Sequence, residues 1–319
     1  MKPIKTINAD NDQTQLYREK FHSTSELVGD LHNLYAYIDG VFVKGDDVKV
    51  SIWDHSYLYG DSVFEGIRAY NGKIFKLTEH IERLFESAKS IEITCPLNLQ
   101  EMSEAIIRTF RINKIREGHG RATISRGIGR MGLDPRRCKE PSITVLAYPF
   151  PPTYKGQAIR MITSTIRRKG PLSVDAKVKC SNYMDNILAK LQAIAAGVDE
   201  AIMLDNQGYV AEATAENIFA IKKGKILTPP ATAALNGITR ATVIAIAKAN
   251  GLDITEQDMT LHDLYTADEV FLTGTAAEIV PAKEIDGRKI GSGNLGNITA
   301  KLQELYKRYV ESEASSSIF

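Results

Sequence analysis

Four short stretches of the chain hold residue types that can do chemistry together: KVKCSNYMDNILAK around Lys179, AEATAENIF (211–219), LNGITRATV (235–243) and LTGTAAEI (272–279). A lysine on a loop that enters a helix can form a Schiff base with an aldehyde and later carry a proton. Position alone does not single out Lys179, because the chain has 40 lysines and arginines and most such residues are solvated. Its company does. Glu212 and Glu216 in AEATAENIF offer a carboxylate just before an expected strand, and a carboxylate bonded to a pyridine nitrogen keeps that nitrogen protonated. Of the two, Glu212 is the candidate. Gly237-Ile238-Thr239 stands where a loop enters a helix, so unpaired N–H groups and the helix dipole suit a phosphate. Gly274-Thr275-Ala276-Ala277 is a second turn of small residues, through which backbone and the Thr275 hydroxyl can approach an anion. Either turn alone is also ordinary turn chemistry. Arg83 would complete the anion cup as a charge-assisted donor.

Positioning these residues takes a series of elements whose signals are local. A hairpin is expected over 35–43, turning at Asp39-Gly40, then a strand at 48–52, then a second hairpin turning at Asn71-Gly72. Ile81, Leu84, Phe85 and Ala88 fall on one face of a helix that follows Thr78, its expected N-cap. Asn98 and Glu101 have the spacing of a capping box for a helix over 99–116. Strands are expected at 120–126 and 142–148. The loop between them, RGIGRMGLDPRRCKEP, lacks the GxGxxG spacing of a dinucleotide site. Prolines in YPFPPTYKG (148–156) mark a linker. Beyond it come a strand at 158–164, a helix at 182–196 and strands at 199–205 and 217–222. A helix from Thr239 to a C′ glycine at 251, a short helix at 260–267, a strand at 268–273 and a last helix at 293–310 complete the series. The expected organisation is an N-terminal extension (1–33), a small domain (34–148), a linker (149–157) and a larger domain (158–319) whose tail, ESEASSSIF, frays.

Composition narrows the function. At 319 residues the chain exceeds one compact core, which fits two domains. A net charge of +1 gives no reason to expect nucleic acid or an anionic membrane surface. No apolar run approaches the roughly 20 residues of a membrane helix, and the polar start lacks the core of a signal peptide. Three cysteines, Cys95, Cys138 and Cys180, have no metal-ligand spacing and fit a reducing cytoplasm.

Taken in series, YGDSVFEGIR, EHIERL, VKCSNYMDNILAK, AEATAENIF, LNGITR and GTAAEI resemble the class IV aminotransferases, pyridoxal-phosphate enzymes of fold type IV, over about residues 34–310. The resemblance implies an α/β two-domain fold, with a small α/β domain and a larger domain built on a barrel-like sheet with flanking helices. It implies that Lys179 is the catalytic lysine bearing pyridoxal 5′-phosphate and that Glu212 meets the ring nitrogen. Tyr183 would meet the phenolic oxygen, and Arg83, Gly237, Ile238, Thr239, Gly274 and Thr275 would hold the phosphate. Within the group, YGDSVFEGIR is similar to the branched-chain type, which implies a substrate bordered by Tyr59, Phe64, Arg68, Arg121, Thr275 and Ala276. Where that type has a tyrosine this chain has His119, an imidazole whose charge would depend on pH near neutrality. Arg130, in GIGRMGL, stands where small or apolar residues are usual and would reach an acidic group or water.

The implied reaction moves the amino group of L-leucine, L-isoleucine or L-valine to 2-oxoglutarate, in amino-acid biosynthesis, with Tyr59 and Arg68 meeting the γ-carboxylate at the pocket rim. Alternatives on the same scaffold are a D-amino-acid or (R)-amine transaminase and, with less support, aminodeoxychorismate lyase. A different class, a protein that keeps the fold without catalysis, is opposed by the retained lysine, carboxylate and phosphate turns. The resemblance also implies a homodimer or higher homo-oligomer whose site is completed by a second subunit.

Overall fold

The computed structural model describes residues 29–313 and 316–319, so most of the expected 1–33 extension lies outside it. Strands β1 (Tyr35–Ile38) and β2 (Val41–Lys44) form the first expected hairpin. Asp39 and Gly40 both have positive φ, 46° and 93°, as a two-residue turn matched to strand twist requires. After a short helix α1 (His55–Tyr59), β3 (Ser62–Tyr70) and β4 (Lys73–Ile74) form the second hairpin across Asn71-Gly72. Helices α2 (Leu77–Ser90) and α3 (Leu99–Ile112) cover the sheet, which continues through β5 (Gly118–Ser125) and β6 (Ser142–Tyr148). Ile81, Leu84 and Ala88 of α2 bury their shared face against Ile67, Met102, Ile106 and Phe110.

Three local expectations fail here for tertiary reasons. Residues 48–52 form no strand. Val50 and Ile52 are exposed, because the chain leaves the sheet edge after a turn at Gly45–Asp47 and finds no neighbour to pair with. Thr78 is not the cap of α2; Lys76, in the left-handed region, caps the helix two residues earlier. The capping box of Asn98 and Glu101 is present, but α3 stops at Ile112, where the Asn113 amide turns to bond Tyr35 of β1.

The second half is built on a nine-stranded sheet. Its strands are β7 (Ile159–Thr163), β8 (Glu200–Leu204), β9 (Val210–Ala213), β10 (Asn217–Lys222), β11 (Lys225–Thr228), β12 (Ile254–Glu256), β13 (Glu269–Gly274), β14 (Glu278–Ile285) and β15 (Arg288–Lys289). Their order is β12-β11-β10-β13-β14-β7-β8-β9, with β15 on β14. Because β9 turns straight into β10 through a backbone bond from Ala213 N to Glu216 O, 2.8 Å, the sheet curls back on itself. Helices α4 (Met184–Ala195), α5 (Ile238–Ala249), α6 (Leu261–Tyr265) and α7 (Asn297–Glu313) flank it. None of the described helices is long and apolar enough to cross a membrane.

The chain's end reverses the expectation of a frayed tail. Strand β16 (Ser316–Ser317) pairs with β4 and closes the first sheet in the order β16-β4-β3-β5-β6-β1-β2. Ile318 is buried in the first core, and its carbonyl accepts from Arg111 Nε at 2.5 Å. The second half of the chain meets the first sheet at β3, where the segment before α4 docks: Phe64 N donates to Lys179 O at 2.9 Å and Ser181 N to Ser62 O at 2.8 Å.

Candidate active site

The docking of residues 179–181 on β3 places Lys179 at the seam between the sheets, and most of the sequence candidates gather around it. A cavity of about 180 Å³ is lined by Phe64, Arg83, His119, Lys179, Tyr183, Glu212, Gly237, Ile238, Thr239, Gly274, Thr275 and Ala276. These come from both halves of the chain, and each lies where an element ends or presents one face. Lys179 Nζ donates to the Tyr183 hydroxyl at 3.3 Å and sits 4.7 Å from the centre of the Phe64 ring.

Glu212 lies inside β9 and not in a loop before a strand, because β9 pairs with β8 in register with Met203. Its carboxylate accepts three bonds: Arg168 Nε at 2.6 Å, Asn217 Nδ2 at 3.1 Å and Leu235 N at 3.1 Å. Burial pushes this carboxyl up, and the Arg168 guanidinium opposes the push. Glu216, four residues on, is turned away. It does not line the cavity, and burial with the nearby Glu200 charge raises its carboxyl to about 8.

At the other side of the cavity, α5 begins. Its N-cap is Gly237, which makes no side-chain cap bond, so the first turn keeps its N–H groups for an anion. A Cβ on Gly237 would collide with the Asn217 side-chain oxygen, so a larger residue there would displace the amide that bonds Glu212. Arg83 reaches the same place and donates to the Asn236 carbonyl at 2.8 Å. Its position is held from behind by Glu65, 2.6 Å from Nε and 2.8 Å from Nη2, while His80 bonds the same carboxylate at 2.7 Å. Burial alone would raise the Glu65 carboxyl, but Arg83 and His80 bring it down to about 2. Sequence reasoning missed all four supporting residues, Glu65, His80, Arg168 and Asn217. Glu65, His80 and Asn217 lie within YGDSVFEGIR, EHIERL and AEATAENIF, which was the one signal available; Arg168 lies in none of these motifs.

Tyr59, Arg68 and Arg121 do not line the cavity. The Tyr59 hydroxyl accepts from Gly132 N at 2.8 Å and so is tied to the loop after β5. Arg68 is buried on the Phe64 face of β3, its Nε 3.5 Å from Glu278. Arg121, one strand over, lies 3.6 Å from the centre of the Phe64 ring without an ion pair among the described residues. His119 corrects an expectation: burial first, then the Arg68 charge, lowers its imidazole to about 4, so it is neutral near pH 7 and does not switch there. Arg130 faces solvent. A larger concavity of about 1,280 Å³ is lined by residues of the first half of the chain, among them Trp53, Ile128, Met131 and Arg130, and holds none of the other candidates.

The amino-transferase class IV family matches residues 62–285. The chain belongs to the class IV aminotransferases. It is 51% identical over 272 residues to a putative branched-chain-amino-acid aminotransferase of Methanocaldococcus jannaschii, covering 85% of this chain and 94% of that protein. It is 40% identical over 278 residues to the branched-chain-amino-acid aminotransferase of Pseudomonas aeruginosa, covering 84% and 90%. Among solved structures, the Thermoproteus uzoniensis branched-chain aminotransferase with norvaline superposes with a TM-score of 0.85 at 37% identity, over 90% of this chain and 99% of that one. The T.th. branched-chain amino acid aminotransferase, complexed with N-(5′-phosphopyridoxyl)-L-glutamate, gives 0.83 at 38%, over 88% and 95%. The two curled sheets are thus those of a fold type IV aminotransferase.

The cavity of this class IV aminotransferase fits pyridoxal phosphate on its own geometry. An amine, a phenol and a buried carboxylate face one space, and a helix start without a side-chain cap stands beside them. Two buried polar atoms nearby, His119 Nδ1 and Thr273 Oγ1, have no partner among the described residues, as a site built for a polar ligand would have.

Proposed function

We propose that this site transfers the amino group of branched-chain L-amino acids to 2-oxoglutarate, with Lys179 as its catalytic residue. The chain is an aminotransferase of the branched-chain type and its cofactor is pyridoxal 5′-phosphate, in keeping with relatives at 35–40% identity and with the ligands of the solved structures. The observation that carries the reading is the convergence of Lys179, Tyr183, Glu212 and the start of α5 on one cavity.

Bound there, pyridoxal phosphate supplies an aldehyde that captures amines and a ring that withdraws electrons. The rest falls to the chain. Lys179 Nζ, as a free amine, would take the proton from the substrate α-carbon, with the Tyr183 hydroxyl 3.3 Å away to hold it in reach. Glu212 would be the partner of the ring nitrogen. Arg83, the N–H groups of Ile238 and Thr239, and Thr275 would hold the phosphate, with Gly237 and Gly274 letting the backbone approach closely. Phe64 walls the substrate side chain, where each buried methylene favours binding by about 0.8 kcal/mol. Arg121, stacked over Phe64 at the cavity's edge and without an ion pair among the described residues, is proposed to meet a substrate carboxylate, with neutral His119 as a hydrogen-bonding neighbour.

The proposed domains are 34–148 and 158–319 joined by 149–157, supported by two sheets whose strands come from these two segments, except that β16 and Ile318 return to the first sheet and Phe75 packs in one core with Phe219 and Phe271 of the second. A homodimer is proposed as the working unit, supported by the exposed apolar residues of α4 and of the Trp53 and Met131 loops. The proposed location is the cytoplasm, in keeping with three free cysteines.

The test is half-reaction spectroscopy on the purified holoenzyme with L- and D-forms of leucine, isoleucine, valine and glutamate. Conversion of the bound cofactor to its amine form by the L-forms is the expected outcome, and conversion by D-forms alone would refute the substrate reading. Lys179→Ala should abolish turnover; full transamination by that variant would refute the catalytic assignment.

A further inference from the structure

Arg168 does not line the cavity, yet it touches the residue on which the electron-withdrawing half of the site depends. Its Nε donates to Glu212 Oε1 at 2.6 Å, and its Nη1 to Asp185 Oδ2 at 3.1 Å and to Asn186 Oδ1 at 3.5 Å. Asp185 and Asn186 belong to the first turn of α4, which follows directly on the Lys179–Tyr183 segment. The backbone of Arg168 is fixed in turn, its N–H bonding Leu204 O at the end of β8, the strand that pairs with β9. One guanidinium therefore ties the strand carrying Glu212 to the helix that follows Lys179. Asn186 adds a parallel tie by donating to Thr214 O at 2.6 Å.

We propose that Arg168 is the positioning residue that keeps Glu212 a correctly aimed carboxylate, so that the ring nitrogen of the cofactor meets a charge and not a carboxylic acid. The inference rests on the proposed role of Glu212. The groups facing Glu212 are Arg168, the Asn217 amide, the Leu235 N–H, the Glu216 carboxyl and, across the cavity, Lys179; those facing Arg168 are Glu212, Asp185, Asn186 and Tyr183. Of these, Arg168 is the one cation in direct contact with Glu212. A carboxyl buried this deeply drifts toward its neutral form unless a cation and hydrogen bonds hold it ionised. The amide and N–H contacts alone leave it without a countercharge. Arg168 thus acts through Glu212, and its removal should look like a proton gained there.

The experiment compares Arg168→Met, Arg168→Lys, Glu212→Gln and the Arg168→Met/Glu212→Gln double variant. Each is purified as holoenzyme, stripped of cofactor and titrated with pyridoxal 5′-phosphate from pH 6 to pH 9. Arg168→Met should weaken cofactor binding at low pH and recover as pH rises, moving the midpoint up by about one pH unit or more. Arg168→Lys, which keeps the charge, should keep the wild-type midpoint. In the Glu212→Gln background, adding Arg168→Met should change cofactor affinity less than about twofold, as expected when one residue acts through the other. A pH-independent loss in Arg168→Met, or an equal loss in both backgrounds, would mean a merely structural ion pair and would overturn the proposal. A loss in Glu212→Gln with wild-type behaviour in Arg168→Met would overturn it while leaving the role of Glu212 intact. Wild-type affinity in Glu212→Gln would overturn both.

Discussion

Glu212 and Glu216 are the same residue type four positions apart, and the fold sends their carboxyls into opposite surroundings. Glu212 meets Arg168, Asn217 and the Leu235 N–H. Glu216 meets Glu200, whose own carboxylate is taken by Lys190 at 2.7 Å, Tyr154 at 2.8 Å and Thr214 at 2.6 Å. With burial and that neighbour raising it to about 8, Glu216 holds a proton in the folded chain that the unfolded chain releases near 4.5. A raised carboxyl stabilises the fold fully below its unfolded value, and that contribution is lost as pH rises through about 8. Replacing Glu216 with Gln should therefore leave stability nearly unchanged at pH 5 and raise the melting temperature relative to wild type at pH 9. Calorimetry at the two values decides it; a variant whose melting temperature runs parallel to wild type would refute the raised carboxyl. The sequence offered both glutamates and could not show this difference, since nothing within AEATAENIF encodes that Glu200 arrives beside one and Arg168 beside the other.

At the scale of elements, legibility followed how local the cause was. The turns at Asp39-Gly40 and Asn71-Gly72, the capping box at Asn98 and the start of α5 at Gly237 are decided by a few consecutive residues, and each is where its pattern places it. Strand β16 is the opposite case. ESEASSSIF has no strand periodicity, and its two paired residues become a strand because β4 presents an unpaired edge. The anchor is Ile318, fully buried among the residues of the first core. Truncating it should cost about 2–5 kcal/mol, the range for a large-to-small change in a packed core. Urea unfolding of Ile318→Ala measures this, and a loss below about 0.5 kcal/mol, typical of surface changes, would show that the tail is not part of the core.

The molecule as a whole leaves apolar surface that a monomer has no use for. Along α4, Met184, Ile187, Leu188, Leu191 and Ile194 are exposed on one side, while Ala189 and Ala193 pack inward. That is a helix with two apolar faces, which fits burial on both sides. Ile187→Glu combined with Leu191→Glu should shift the protein toward monomer in sedimentation velocity at micromolar concentration; an unchanged sedimentation coefficient would place any interface elsewhere. What the chain determined by itself was its chemistry: a lysine before a helix, a glutamate near a strand and two small-residue turns are motifs of adjacent residues, whose backbone needs are local. What only the tertiary structure decided was their company: Glu65 and His80 behind Arg83, Arg168 behind Glu212, and the lowered imidazole of His119. Those depend on burial and on charges brought from distant segments, and long-range electrostatics in a low-dielectric interior leaves no trace in the order of residues along the chain.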